Sequence, residues 1–319
     1  MATGAFPPVV TTNEVSVGIT HAANFIPEVW SNETIASYKA NLVLAGLVTT
    51  FPFSGRKGDT FHIPSPTRGA ANAKAQYTAV TLIANTEGVT DISINKHFEY
   101  SRLIEDMAGT QGLDSMRSFY TDDGGYALAT QIDTDLHQLG ALLQGSSTYP
   151  VYANAVIGSD GSTAWNQATS GNGVALADAG IRRMARTLDD ADVPMRDRAI
   201  VIPPIEKENL LGLARFTEQA FVGEVGMANS IRNGFLGSIY GMDVFVSSNC
   251  PTIESADSTA YRVGMLLHKS ALALVMQMNP RSQVQYKQEY LSDLLTIDTI
   301  YGVGELRNDA GVAFVVPGT

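Results

Sequence analysis

Apolar residues recur between Leu128 and Leu143 at steps of four, four, three and four: Leu128, Ile132, Leu136, Leu139 and Leu143. That spacing lines them up on one narrow helical stripe. The run from Leu113 to Gln144 is the longest helical signal in the chain, roughly 45 Å at the α-helical rise. Asp122-Asp123-Gly124-Gly125 falls inside it. Each glycine weakens a helix by about 1 kcal/mol relative to Ala, so a kink or bend is expected there.

Other segments follow different periods. The first 20 or so residues are rich in Thr, Val, Pro and Ala without helical spacing and read as an extended arm. From Pro27, a favoured first-turn residue, Val29, Ile35, Tyr38, Leu42 and Ala45 predict a helix. Thr60–Pro66 and Gly88–Ile104 have strand character, with Ile92, Ile94, Phe98 and Tyr100 alternating with polar residues. Between them, residues 67–87 are small, polar and Gly/Ala-rich. A long two-stranded hairpin of this kind is marginal alone in water and is expected to lie against a neighbour.

Residues 145–173 are dense in Gly, Ser, Thr and Asn and read as a loop carrying a boundary. After it, Ala177, Ile181, Met184 and Leu188 mark a helix over 174–190, and Asp197–Pro204 is a buried-looking strand. Pro204 opens another helix, and 241–249 and 261–278 add strands. The C-terminal part is β-rich, with Asp309-Ala310-Gly311 as a turn before the last strand. The fold class is α+β.

A length of 319 residues, 45% hydrophobic and 17% charged, suits one large folded unit or two domains and excludes a disordered chain. The formal charge of −11 opposes nonspecific adhesion to a polyanion. Cys250 is the only cysteine, so neither an intrachain disulfide nor a thiolate zinc cage can form, and it reads as a small buried apolar residue. No segment approaches the roughly 18 uninterrupted apolar residues of a membrane span, and no secretory signal is present.

Chemistry is weakly encoded. Around Lys57, "SGRKGDT" lacks the leading glycine spacing of a phosphate loop. Near Ser238, "GFLGSIYG" has the wrong spacing for a nucleophile elbow, so its glycines are read as turn formers. The five histidines contain neither His-x-His nor His-Glu-x-x-His. Asp133, Asp135 and His137 alternate, but in a helix Asp133 and His137 lie within roughly 40° of each other while Asp135 is turned roughly 160° from Asp133. The expectation is a solvent-facing Asp133/His137 pair and no paired-aspartate metal site. From Leu113 to Gln144, five aspartates face a single arginine, so the helix carries four of the eleven net negative charges. Arg182, Arg183 and Arg186, flanked by Asp189, Asp190 and Asp192, read as a salt-bridged surface or interface.

An arm, a long hairpin, a long acidic helix, an α/β region and a β-rich return occur in that order. The order resembles the major capsid protein of tailed double-stranded DNA phages, with the Hong Kong 97-type fold. "FIPEVWSNETIASYKANLVLAGLV", "GDTFHIPSP", "ALATQIDTDL", "AIVIPP", "GSIYGMDVFVSSN" and "HKSALALVMQ" are similar to podovirus-like members.

The resemblance implies an N-terminal arm over 1–24, a helix and connection over 25–50 and an E-loop hairpin over 51–104, with Thr60–Pro66 and Ile92–Leu103 as its strands. A spine helix and first P-domain part follow over 105–150, an A-domain over 151–270, and a second P-domain part with a C-terminal β return over 271–319. Phe61, Ile63, Arg68, Tyr77, Arg182, Arg183 and Arg186 become inter-subunit contact candidates. Asp122, Asp123, Asp133 and Asp135 become an acidic inner surface that keeps packaged DNA mobile.

The implied role is structural and non-enzymatic: self-assembly into pentamers and hexamers of an icosahedral head, without cofactor, metal or membrane. The implied partners are a separate scaffolding protein, a portal protein, decoration proteins and double-stranded DNA bound without sequence specificity. Assembly would occur in the host bacterial cytoplasm and the product would be the virion. Two other readings stay open: an encapsulin-type compartment of the same fold, and a soluble α/β enzyme with a site within 173–270.

Overall fold

The computed structural model describes residues 42–53, 58–66, 69–83, 87–106, 116–143, 155–168, 170–212 and 237–318. These residues belong to one compact unit, Lys39–Thr319. The expected arm over 1–24, most of the helix expected from Pro27, Lys57, Arg68 and residues 213–236 lie outside the described residues.

In chain order the elements are α1 (Leu44–Leu47), β1 (Thr49–Pro52), β2 (Thr60–Pro66), β3 (Glu87–Ser93), β4 (Lys96–Glu105), α2 (Met116–Gly140), β5 (Val156–Ile157), α3 (Asp178–Asp190), β6 (Arg198–Ile202) and α4 (Pro204–Leu211). Then come β7 (Ser238–Ile239), β8 (Met242–Val246), β9 (Thr252–Glu254), β10 (Ala260–His268), β11 (Leu272–Lys287), β12 (Ser292–Glu305) and β13 (Gly311–Pro317).

Three sheets form. One has four strands in the order β1-β11-β12-β4, another is built on β5-β13-β10-β6-β8-β7 with β9 paired to β10, and the third is the ribbon β2-β3. In β6 every residue is buried, which explains its continuous apolar run. The β7–β8 turn places Tyr240 and Gly241 at φ of 52° and 77°, so the glycine before Met242 does form a tight turn.

Helix α2 continues through Gly124-Gly125 without a break in its helical assignment. The reason lies outside the helix. A Cβ on Gly124 would sit 2.6 Å from Tyr100 Cδ1 and 2.7 Å from Ile297 Cδ1, so the missing side chain is what lets α2 lie close on β4 and β12. Packing against the sheet outweighs the glycines' helix-weakening tendency.

The expected second hairpin strand is in fact two strands. The predicted alternation is present, with Ile92 and Ile94 buried and Lys96, Phe98 and Tyr100 half-buried. However, β3 pairs with β2 through Ser93↔Thr60, whereas β4 pairs with β12 along its whole length, from Tyr301↔Lys96 to Ser292↔Glu105. The break falls where Ile94 N–H donates to Asp59 O and where Ile92 and Ile94 enter a core cluster with Phe53, Ala273 and Val275. The helix expected over 174–190 begins at Asp178, and the strand expected over 261–278 is split at Lys269–Ala271.

One large core joins both main sheets. Leu44, Leu136, Leu274 and Tyr301 belong to the same buried cluster as Ile200, Val201, Met265 and Phe314. Helix α2 and the turn after it reach into this core with Ile132, Leu136 and Leu143 of the stripe, Leu139 packs partly buried against the cluster, and Leu128 is buried as well.

Candidate functional site

The polar residues of α2 are where the structure departs most from expectation. Asp133, Asp135 and His137 are 0%, 6% and 0% exposed, so none of them belongs to a solvated acidic face. The helical geometry was right, since Asp133 and Asp135 address opposite sides, but both sides are covered. Asp133 Oδ1 accepts the Leu44 N–H at 3.0 Å and Oδ2 accepts Asn249 Nδ2–H at 2.9 Å, tying α1 and the 247–250 loop to the helix. Asp135 Oδ2 accepts the Tyr301 hydroxyl at 2.5 Å and lies 3.0 Å from Lys96 Nζ, tying the helix to β12 and β4. Each carboxylate is thus buried with partners, the condition under which a charge tolerates an interior. Burial, followed by the Asp135 hydrogen bond and charge, pushes the Tyr301 phenol far above its ordinary range.

His137 completes the cluster. Its Nδ1–H donates to the Asp133 carbonyl at 2.7 Å, and the ring lies 3.3 Å from Asp133 Oδ2. Its Nε2 is buried and has no hydrogen-bond partner among the described residues. Burial lowers its pKa, with the Asp133 charge opposing.

Of the acidic inner-surface candidates, only Asp122 is exposed. Asp123 is half-buried and accepts the Tyr100 hydroxyl at 2.8 Å, while Arg102 Nε–H donates to the same phenol oxygen at 2.8 Å. Asp133 and Asp135 are withdrawn from that surface for the reasons above.

The contact candidates divide sharply. Phe61 and Ile63 sit partly buried at the base of the ribbon, where the Phe61 ring lies 5.3 Å from Phe51 and 5.5 Å from Phe53. Tyr77 is fully exposed. All of residues 69–83 are exposed, including Val80, Leu82 and Ile83. Those three were missed because the segment was read as polar as a whole. The signal was present in "AVTLI" at 79–83. A second exposed apolar group, Tyr286, Tyr290 and Leu291 around the β11–β12 turn, was also missed.

Arg182, Arg183 and Arg186 are exposed on α3. Arg182 pairs with Asp178 at 3.1 Å and Arg186 with Asp190 at 3.3 Å, so this surface is salt-bridged. Beside it lies a shallow cavity of about 290 Å³ lined by Arg182, Arg186, Met195, Arg198, Tyr240 and Met242, with the Tyr240 hydroxyl donating to Asp178. Arg198 is buried and anchored by Asp189 at 2.8 Å and the Val193 carbonyl at 2.6 Å.

A second depression of about 240 Å³ lies on the face of β4-β12-β11 and holds His97, Glu99, Arg281 and Asp298. Arg281 forks onto Asp298 at 2.9 and 3.1 Å and holds its carboxyl below the usual range. Among the described residues no three His, Cys, Asp or Glu side chains converge as a metal-binding group, and no helix is long and apolar enough to cross a membrane. Cys250 is buried, and burial pushes its thiol up to about 12.

No curated protein sequence matches this chain. Solved structures do. A chain from Mycobacterium phage Che8 shares 23% identity over 91% of this chain and 97% of its own, with a TM-score of 0.69. The capsid structure of cyanophage P-SCSP1u gives 18% identity over 93% and 94%, with a TM-score of 0.74, and the mature capsid of bacteriophage PhiM1 gives 14% over 92% and 93%, at 0.68. These likenesses establish the fold as the Hong Kong 97 type. The sequence also matches the phage capsid protein family over residues 103–309, nearly two thirds of its length. The chain therefore belongs to the phage capsid protein family, and its role is that of a structural, non-enzymatic major capsid protein.

Proposed function

We propose that this capsid protein assembles with itself into pentamers and hexamers of an icosahedral head that encloses double-stranded DNA. The observation that supports this best is the run 69–83. It extends from the β2–β3 ribbon with every residue exposed, including Tyr77, Val80, Leu82 and Ile83. Apolar side chains in such numbers on an extension fit burial against a second copy. Tyr77, with Phe61 and Ile63 fixing the ribbon base, and the α3 arginines are the contact residues of this reading. The division into arm, E-loop, P-domain and A-domain given above also belongs to it.

Packaged DNA is held without sequence-specific contacts, in keeping with the net charge of −11. The repelling inner surface reduces to Asp122, with Asp123 beside it. Neutralising both should raise DNA retention by assembled shells, and unchanged retention removes that element. The reading also includes scaffolding, portal and decoration proteins as partners, assembly in the bacterial cytoplasm and residence in the virion.

Size exclusion and negative-stain microscopy of the purified chain test the assembly. Shells, tubes or free pentamers and hexamers are expected, and a persistent monomer with a scaffolding partner present would overturn the proposal. Nucleic-acid content separates a phage head from a compartment filled with protein cargo. Replacing Tyr77 with Ala and Leu82 with Ser should block assembly while leaving monomer stability within about 0.5 kcal/mol, the usual range for exposed sites.

A further inference from the structure

Asp133 fastens two segments that are remote in sequence. Leu44 is 89 residues away and opens α1, the short turn leading into β1. Asn249 is 116 residues away, in the loop between β8 and β9. Beside this junction His137 is fully buried and bonded through Nδ1 to the Asp133 carbonyl, and its Nε2 meets no partner among the described residues. A buried polar atom without a hydrogen-bond partner is a cost that leucine at this position would avoid. Asp133 Oδ2 lies 3.3 Å from His137 Nδ1, so its charge meets the ring on the Nδ1 side and not at Nε2. Both Asp133 oxygens already accept hydrogen bonds, from the Leu44 amide and the Asn249 side chain.

We propose that Asp133 and His137 form a proton-sensitive latch that holds α1 and the 247–250 loop on the spine helix at neutral pH and releases them on mild acidification.

The sign follows from the neutral ring being the form the fold accepts. Protonation adds an Nε2–H donor that has no acceptor, so the open form, where water supplies one, takes up the proton more readily. The latch is closed above the ordinary histidine range near 6.5 and weakens as pH falls through the depressed folded value. The Asp133 charge opposes this, but burial is the larger influence. The titratable and charged groups on the elements packed against α2 are Lys96, His97, Glu99, Tyr100, Arg102 and Glu105 on β4, Arg281, Tyr286 and Lys287 on β11, and Asp293, Asp298, Tyr301 and Glu305 on β12, with Cys250 and Arg262, which donates to the Cys250 carbonyl at 2.9 Å, near Asp133. None of them hydrogen-bonds to the imidazole, and Lys96 and Tyr301 bond Asp135 on the helix's other side. Helix α1 carries no titratable group.

Hydrogen exchange on the purified full chain reads the latch directly, because the Leu44 amide is itself one of the fastened groups. After correction for intrinsic exchange rates, protection of peptides covering 42–48 and 247–250 should fall about tenfold between pH 7.5 and 5. Peptides from β13 should not change. In His137→Leu the fall should vanish. Wild-type protection that stays flat, or an equal fall in the variant, overturns the proposal. Should His137→Leu fail to fold, ring-¹⁵N spectra of the wild type decide. The Nδ1–H tautomer must persist below pH 6.5 and disappear with the same midpoint as the protection, and separate midpoints refute the latch.

Discussion

Two adjacent glycines in α2 should respond to the same substitution with opposite signs. A Cβ at Gly125 meets nothing within 4 Å. Gly125→Ala therefore gains the helix-propensity difference, about 1 kcal/mol, at little steric cost. A Cβ at Gly124 would lie 2.6 and 3.1 Å from Tyr100 ring carbons and 2.7 Å from Ile297 Cδ1. The isoleucine methyl can rotate away, but the Tyr100 ring is fixed by its bonds to Asp123 and Arg102. Overpacking of this kind costs about 1–3 kcal/mol, and dislodging the phenol endangers a hydrogen bond worth about 1 more. Less the helix-propensity gain of about 1 kcal/mol, Gly124→Ala should therefore lose about 1–3 kcal/mol net. Thermal and urea unfolding of the unassembled protein read both changes. A gain of about 2–4 °C for Gly125→Ala and a loss of similar size for Gly124→Ala are expected. Equal shifts in the two variants, of either sign, would refute the argument that close approach of helix and sheet selects glycine at 124.

Tyr301→Phe removes the hydroxyl that Asp135 accepts, and should destabilise the fold by about 1–2 kcal/mol in urea unfolding, with Lys96 still neutralising the carboxylate. Cys250 should resist thiol reagents in the native protein at pH 8 and react fully in denaturant, as expected for a buried thiol raised to about 12. Glu206 is buried, accepts the Leu176 amide at 2.8 Å and Asn209 Nδ2–H at 3.0 Å, and has its pKa raised by burial. Its protonated form is favoured by folding, so its contribution is complete below 4.5 and is lost as pH rises through the folded value. Glu206→Gln should remove that decline from a plot of unfolding free energy against pH, and a variant that retains it would show that another group is responsible.

Much of the local structure was legible along the chain. The leucine stripe located α2, the apolar run located β6, Pro204 marked the start of α4, and Asp309-Ala310-Gly311 marked the turn before β13. These signals reside in neighbouring residues, where periodicity and turn chemistry act. The candidate site was less legible. Asp133, Asp135 and His137 look like a solvated helix face because charged residues usually are. What buries them comes from Leu44, Asn249, Lys96 and Tyr301, none of them near in sequence to the residue it bonds. The division of 88–104 into a ribbon strand and a sheet strand was likewise hidden, since the same two-residue alternation serves either partner.

The amino-acid sequence by itself thus determined where α2, β6 and α4 lie, the angular relation of Asp133 to Asp135, and the order of elements by which the capsid family is recognised. Only the tertiary structure decided which helix faces are buried, why Gly124 sits where α2 meets β4 and β12, and which apolar side chains remain uncovered. The physical reason is that periodicity specifies a surface's character, whereas burial depends on what the rest of the chain brings to it. Buried aspartates survive on α2 because long-range partners supply the hydrogen bonds that water would otherwise provide.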